Sequence, residues 1–134
     1  MEIIYIAGDG RSGSTLLDAI LSNIENSISI GEGYRFWVRF YEGETECGCK
    51  TPIQHCKLWK QLDAALKFEF SHYDPVLFWA KVREIQFFRN FEPMPELLQN
   101  REWREFGSIV TRFYELIGEI TGKSIIIDSS KSIS

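Results

Sequence analysis

The chain has 134 residues, with 15 Lys and Arg against 19 Asp and Glu, and a formal net charge of −4. This length suits one domain, and a hydrophobic fraction of 44% excludes a disordered chain. The acidic balance disfavours nucleic acid as a partner, and no apolar run approaches the roughly twenty residues that span a bilayer. Because the first apolar run is too short for a signal peptide, we expect a cytoplasmic protein.

A loop rich in glycine and hydroxyl residues follows the short apolar run Ile3–Ala7. After the loop, Leu16, Leu17, Ile20, Leu21 and Ile24 recur at helical spacing on one face. This order predicts a strand, a loop and a helix. Amide groups at a helix N-terminus bind anions, and Arg11 adds a cation that can contact two phosphate oxygens. We therefore predict a phosphate-binding loop formed by Gly10, Arg11, Ser12, Gly13, Ser14 and Thr15.

The loop approaches the P-loop pattern of nucleoside triphosphatases, with Gly8, Gly13 and Thr15 at matching positions. Ser14 stands where that pattern has its lysine, which argues against ordinary ATP hydrolysis. The stretch Gly-Arg-Ser-Gly-Ser-Thr-Leu-Leu at positions 10–17 resembles the 5′-phosphosulfate-binding loop of sulfotransferases. The resemblance implies that 3′-phosphoadenosine-5′-phosphosulfate (PAPS) is the co-substrate.

A second short strand, Ile28–Ile30, is predicted to end at Gly31, directly before Glu32. The carboxyl ends of parallel strands are where open α/β sheets bind ligands, and sulfuryl transfer to a hydroxyl needs a base. Glu32 is the best-placed base. The Gly-Glu-x-x-Arg motif here is similar to that of the tyrosylprotein sulfotransferases, which implies a catalytic Glu32 and a substrate-binding Arg35. The alternative is a solvated ion pair between Glu32 and Arg35 at i,i+3 spacing.

Three cysteines, Cys47, Cys49 and Cys56, fall within ten residues together with His55, and such a set could hold zinc. The spacing C-x-C-x6-C fits no common zinc pattern. Some bacterial sulfotransferases have a similar cysteine stretch, of unknown role. We therefore expect reduced, partly buried thiols and no metal.

The chain between the second and third strands is predicted to be mostly helical. Helical spacing covers Phe36–Tyr41, Leu58–Leu66 and Val76–Phe88, and it returns from Glu96 to the stop signal at Gly122. We expect the aromatic stretch at 36–41 to form core; the alternative is that it lines an acceptor pocket. In sulfotransferases such insertions shape the acceptor site, so the resemblance implies that acceptor choice resides here.

The stretch Ser124–Asp128 contains an unbroken apolar run, Ile125–Ile127, and predicts a third strand that is buried on both faces. A strand that ends in aspartate can be a magnesium-binding Walker B element. Alternatively, Asp-Ser-Ser-Lys is similar to a recurring bacterial sulfotransferase motif, which implies that Lys131 faces the transferring group. The resemblance thus implies a catalytic set of Glu32, Arg11 and Lys131.

These observations predict one α/β domain over residues 1–134, with a P-loop-like parallel sheet flanked by helices. The resemblance covers the N-terminal half of a sulfotransferase. It implies an incomplete domain that ends before the 3′-phosphate-binding segment and has little activity alone. The expected function is transfer of a sulfuryl group from PAPS to a hydroxyl acceptor of unknown class. The alternatives are a degenerate P-loop kinase or NTPase, and a non-catalytic anion-binding module.

Overall fold

A computed structural model describes residues 1–8, 11–43, 45–85 and 99–130. These residues form three β-strands and five α-helices. In chain order the elements are β1 (Glu2–Tyr5), α1 (Ser14–Leu21), β2 (Ser27–Gly31), α2 (Phe36–Glu42), α3 (Lys57–Glu69), α4 (Pro75–Ile85), α5 (Arg101–Thr121) and β3 (Ile125–Asp128). Short 3-10 turns at Gly33–Arg35 and Ile53–His55 precede α2 and α3.

The three strands make one parallel sheet in the order β1-β3-β2. β3 lies in the centre, where Ile126 pairs with Ile3 on one side and with Ile28 on the other. Ile126 and Ile127 are fully buried, as expected for the apolar centre of a parallel sheet. The predicted α/β class, the three strands and the central burial of β3 are therefore confirmed.

Helix α1 forms where its amphipathic pattern predicts, but its apolar face is largely open to solvent. Leu16 is 67% exposed and Ile20 58% exposed, while Ile3 on the neighbouring β1 is 44% exposed. The helix contacts β2 and β3 through its other side, where Ser14 is buried. Within the described part of the chain, nothing covers this apolar face.

The described parts of the segment between β2 and β3 are mostly helical, as predicted. Helix α4 begins at Pro75, and the Asp74 carboxylate caps it by accepting hydrogen bonds from the amides of Val76 and Leu77. Helix α5 begins after the Asn100 cap and ends at Gly122, which has a φ of 68°. The predicted helical positions 86–88 and 96–98 lie outside the described residues. No helix in the described ranges is both long enough and apolar enough to cross a membrane.

An aromatic cluster joins these helices into one core. Phe113 of α5 is 1% exposed, and its ring centroid lies 4.8 Å from that of Trp37, 5.7 Å from Phe36 and 6.3 Å from Trp59. Leu62 and Leu66 of α3 are fully buried in the same core. The expectation that the aromatic stretch at 36–41 contributes core is confirmed for Phe36 and Trp37, which are both buried.

Replacing Phe113 by Ala should destabilise the fold by about 3–5 kcal/mol, because the change leaves a cavity among three aromatic rings. The matched control is Phe68→Ala, since Phe68 is 90% exposed; its effect should lie within about 0.5 kcal/mol. Urea denaturation measures both free energies of unfolding. Equal effects of the two substitutions would contradict the central position of Phe113.

Candidate functional site

The carboxyl ends of all three strands are tied together at one edge of the sheet. The Ile6 amide, just after β1, donates to the Asp128 carbonyl at 2.7 Å, and the Ser129 amide donates to the Gly31 carbonyl at 2.8 Å. The residues that follow β1, β2 and β3 therefore share the edge at which parallel sheets bind ligands. This edge is the candidate site.

The loop after β1 has left-handed backbone at two positions, Arg11 with a φ of 67° and Gly13 with a φ of 83°. Gly13 caps α1, and its carbonyl accepts hydrogen bonds from the amides of Leu16 and Leu17 at 3.0 Å. A residue other than glycine is strained in this conformation. The irregular backbone therefore falls within the predicted phosphate-binding residues.

The structure describes five of the six predicted phosphate-binding residues. Arg11, Ser12, Gly13 and Thr15 are exposed beside the start of α1, whereas Ser14 is buried. Gly10 lies outside the described residues. Binding of a phosphate by this loop therefore stays a prediction, and four of its six residues have the accessibility that it requires.

Glu32 follows β2 and contacts two guanidinium groups through one oxygen. Its Oε2 lies 3.0 Å from Arg35 Nε and 2.9 Å from Arg39 Nη2. Arg35 Nε also donates to the Tyr34 hydroxyl at 2.6 Å, and this hydrogen bond raises the pKa of Arg35. The ion pair expected at i,i+3 spacing is thus present. The contact of Arg39 with Glu32 was not predicted. Arg39 stands one helical turn after Arg35, and this spacing could have indicated it.

A cavity of about 520 Å³ lies beside Glu32. Its walls come from β2, from Glu32 and Arg39, from Phe36 and Trp59, and from the segment that carries the three cysteines. This volume falls within the range of ordinary small-molecule pockets. Glu32 therefore lines a partly open, largely apolar cavity of a size that a small ligand can occupy.

Asp128, at the end of β3, has a structural role that the sequence did not reveal. It is fully buried. Its Oδ1 accepts hydrogen bonds from the amides of Gly33 at 3.2 Å and Ser130 at 2.9 Å, and from the Ser130 hydroxyl. Its Oδ2 accepts from the Tyr114 hydroxyl at 2.6 Å. Burial raises the pKa of Asp128, although these hydrogen bonds oppose the shift.

This arrangement does not fit the Walker B alternative, in which Asp128 would be a magnesium ligand. Both carboxylate oxygens already accept protein hydrogen bonds, and the side chain has no exposed surface. A Cβ on Gly33 would lie 2.5 Å from Asp128 Oδ2. Glycine is therefore required at position 33, because the end of β3 approaches the backbone there so closely.

The two serines after Asp128 fasten the end of β3 to its neighbours. The Ser129 hydroxyl donates to Asp18 Oδ2 on α1 at 2.8 Å, and the Tyr34 amide donates to the Ser130 Oγ at 3.2 Å. The motif thus joins α1 to the turn that carries Glu32. Lys131, the predicted catalytic cation, lies outside the described residues.

The three cysteines come together despite their unusual spacing. Their Sγ atoms all lie within 4.8 Å of one another, and the Cys47 and Cys56 sulfurs are 3.5 Å apart. Cys47 is half-buried, Cys49 exposed and Cys56 buried, in keeping with the expected partly buried thiols. Hydrogen bonds from Thr51 lower the pKa of Cys49 to about 7, whereas burial raises the pKa of Cys56 to about 11.

Comparisons of this chain with protein families, with curated proteins and with solved structures find no match. The structure thus defines an α/β protein with a small parallel sheet, and the candidate site at its carboxyl edge has to be interpreted from its own residues.

Asp128→Ala should lower the free energy of unfolding by about 3 kcal/mol, because it leaves the Tyr114 hydroxyl and the Gly33 and Ser130 amides without an acceptor. Tyr114→Phe keeps the ring and removes one of these hydrogen bonds, so it should cost about 1 kcal/mol. Urea denaturation of both variants checks the order. A larger loss in Tyr114→Phe than in Asp128→Ala would show that Asp128 does not organise the strand ends.

Proposed function

We propose that this chain binds PAPS through the loop at 10–15 and supports sulfuryl transfer to a hydroxyl acceptor that enters the cavity beside Glu32. The observation that carries the proposal is the placement of the loop and of Glu32 at one edge of a parallel sheet. The hydrogen bonds among Ile6, Asp128, Ser129 and Gly31 hold that edge together.

The loop supplies the groups that a 5′-phosphosulfate needs. Arg11, Ser12 and Thr15 are exposed, and the N-terminus of α1 directs its amides and the positive end of its dipole towards the same place. Buried Ser14 contributes through its backbone rather than through an exposed hydroxyl. A guanidinium beside helix amides stabilises a dianionic leaving phosphate better than either group alone.

The acceptor side of the proposal rests on Glu32 and its two arginines. Arg35 and Arg39 both contact Glu32 Oε2, which restricts the rotation of the carboxylate at the cavity wall. A positioned carboxylate is the simplest base for an acceptor hydroxyl. The apolar walls from Phe36 and Trp59 favour an acceptor with apolar surface next to its hydroxyl.

The proposed step balances without a metal or a redox partner. The acceptor oxygen forms a bond to sulfur while the bond from sulfur to the 5′-phosphate oxygen breaks. The acceptor proton passes to Glu32, and the electron pair stays on the phosphate oxygen of 3′-phosphoadenosine 5′-phosphate. Arg11 stabilises the charge that develops there, and the resemblance gives the same role to Lys131.

Two observations favour this ligand over magnesium ATP. Ser14 occupies the position of the P-loop lysine, which an NTPase uses on its β- and γ-phosphates. Asp128 has both oxygens engaged inside the protein, so the magnesium ligand of an NTPase is missing from its usual place after the strand.

Calorimetric titration with 3′-phosphoadenosine 5′-phosphate tests the proposal. The folded chain should bind this nucleotide, and Arg11→Ala should weaken binding by about 10- to 100-fold through the lost charge-assisted hydrogen bonds. Arg104→Ala is the charge-matched control, because Arg104 is an exposed arginine of α5 and is not part of the loop. Glu32→Gln should leave the affinity unchanged, because the nucleotide product has no sulfuryl group for the acceptor side to contact.

The competing functions give different titrations. Binding of ATP only with magnesium would support the degenerate kinase or NTPase and contradict the proposal. Binding of inorganic sulfate or phosphate without any nucleotide preference would support a non-catalytic anion-binding module. If Arg11→Ala and Arg104→Ala weaken nucleotide binding equally, the loop is not part of the binding site.

A further inference from the structure

No step of the proposed sulfuryl transfer uses a cysteine thiol, yet the geometry of the three cysteines suits a particular ligand. A tetrahedral zinc ion with Zn–S bonds of about 2.3 Å requires sulfur atoms about 3.8 Å apart. The Cys47 and Cys56 sulfurs are 3.5 Å apart, and all three lie within 4.8 Å of one another. The 3.5 Å separation is far longer than the S–S bond of about 2.05 Å in a disulfide.

A tight turn holds the first two thiols on one side of the chain. The Lys50 amide donates to the Cys47 carbonyl, and the Cys47 amide donates to the Thr51 carbonyl, both at 2.8 Å. Lys50 has a φ of 63°, which closes the turn. The Ile53 amide donates to the Thr45 carbonyl at 2.9 Å, so the turn lies at the tip of a small hairpin.

The third thiol is held independently by the core. Cys56 is the residue before α3, and its side chain is buried next to Ile53 and Trp59. The N-terminus of a helix favours a negatively charged ligand atom. The Thr51 hydroxyl lies 3.1 Å from Cys49 Sγ, which is the kind of hydrogen bond that orients metal ligands.

We propose that Cys47, Cys49 and Cys56 bind one Zn²⁺ ion as thiolates. Three Zn–S bonds form and three thiol protons pass to solvent, with no change of oxidation state. Among the described residues no fourth His, Cys, Asp or Glu side chain joins the cluster, so the three thiolates supply three of the four ligands of a tetrahedral site. The ion fixes the hairpin to the start of α3 and thereby stiffens the cysteine wall of the cavity beside Glu32.

The direct test is the metal content of the folded chain. Protein purified with reductant and without chelator should contain one zinc per chain by plasma mass spectrometry. The metal-free protein should take up Co²⁺ with the thiolate-to-cobalt charge-transfer absorption that sulfur ligands give. Zinc should raise the melting temperature and protect the thiols from alkylation.

Cys49→Ser is the decisive variant, because Cys49 is exposed and its loss should leave the fold intact by circular dichroism. It should weaken zinc binding on the order of 100-fold or more, since a lost ligand costs at least as much as a lost supporting hydrogen bond. Lys57→Ala is the control: it is adjacent to Cys56 in the chain, exposed, and carries no sulfur. It should keep zinc at the level of the unmodified chain.

Three results would contradict the zinc site. In the first, the folded and reduced chain binds neither zinc nor cobalt. In the others, Cys49→Ser retains full affinity for zinc, or Cys49→Ser and Lys57→Ala weaken zinc binding equally. Arg11→Ala, which is expected to lose the nucleotide, should retain zinc. Calorimetry with the nucleotide and measurement of bound zinc therefore test the two proposed sites independently.

Discussion

The buried carboxylate of Asp128 is the point on which the sheet edge depends. A polar group inside a protein is tolerated when its hydrogen bonds are satisfied, and Asp128 accepts from Gly33, Ser130 and Tyr114. These partners belong to the turn after β2, the end of β3 and helix α5. One side chain thus connects the sheet to the helical insertion directly behind Glu32.

The close approach around Asp128 explains why the turn after β2 has its sequence. Gly33 has no space for a Cβ, so the chain passes tightly over the carboxylate and turns into α2. That turn brings Arg35 and Arg39 onto one side of the helix, where both contact Glu32. The position of Glu32 therefore depends on a structural aspartate whose carboxylate accepts hydrogen bonds from Gly33, Ser130 and Tyr114.

The sequence predicted the elements better than it predicted their surroundings. The apolar run of β3 and the Gly122 stop are local signals, and each was confirmed because backbone conformation responds to local chemistry. The exposed face of α1 and the burial of Asp128 depend on which distant residues pack nearby. Periodicity places Leu16 and Ile20 on one face without showing whether another element covers that face.

The cysteines illustrate the same limit for a site. Common zinc patterns have short, regular spacings because both ligands of a pair lie on one turn, and C-x-C-x6-C does not match them. Here two thiols come from a hairpin tip and the third from the start of α3, where Cys56 belongs to the same core cluster as Ile53 and Trp59. The cysteine segment forms one wall of the cavity, and Glu32 with Arg39 lies on another. The shape of the cavity beside Glu32 therefore depends both on the aromatic core, through Phe36 and Trp59, and on the cysteine segment.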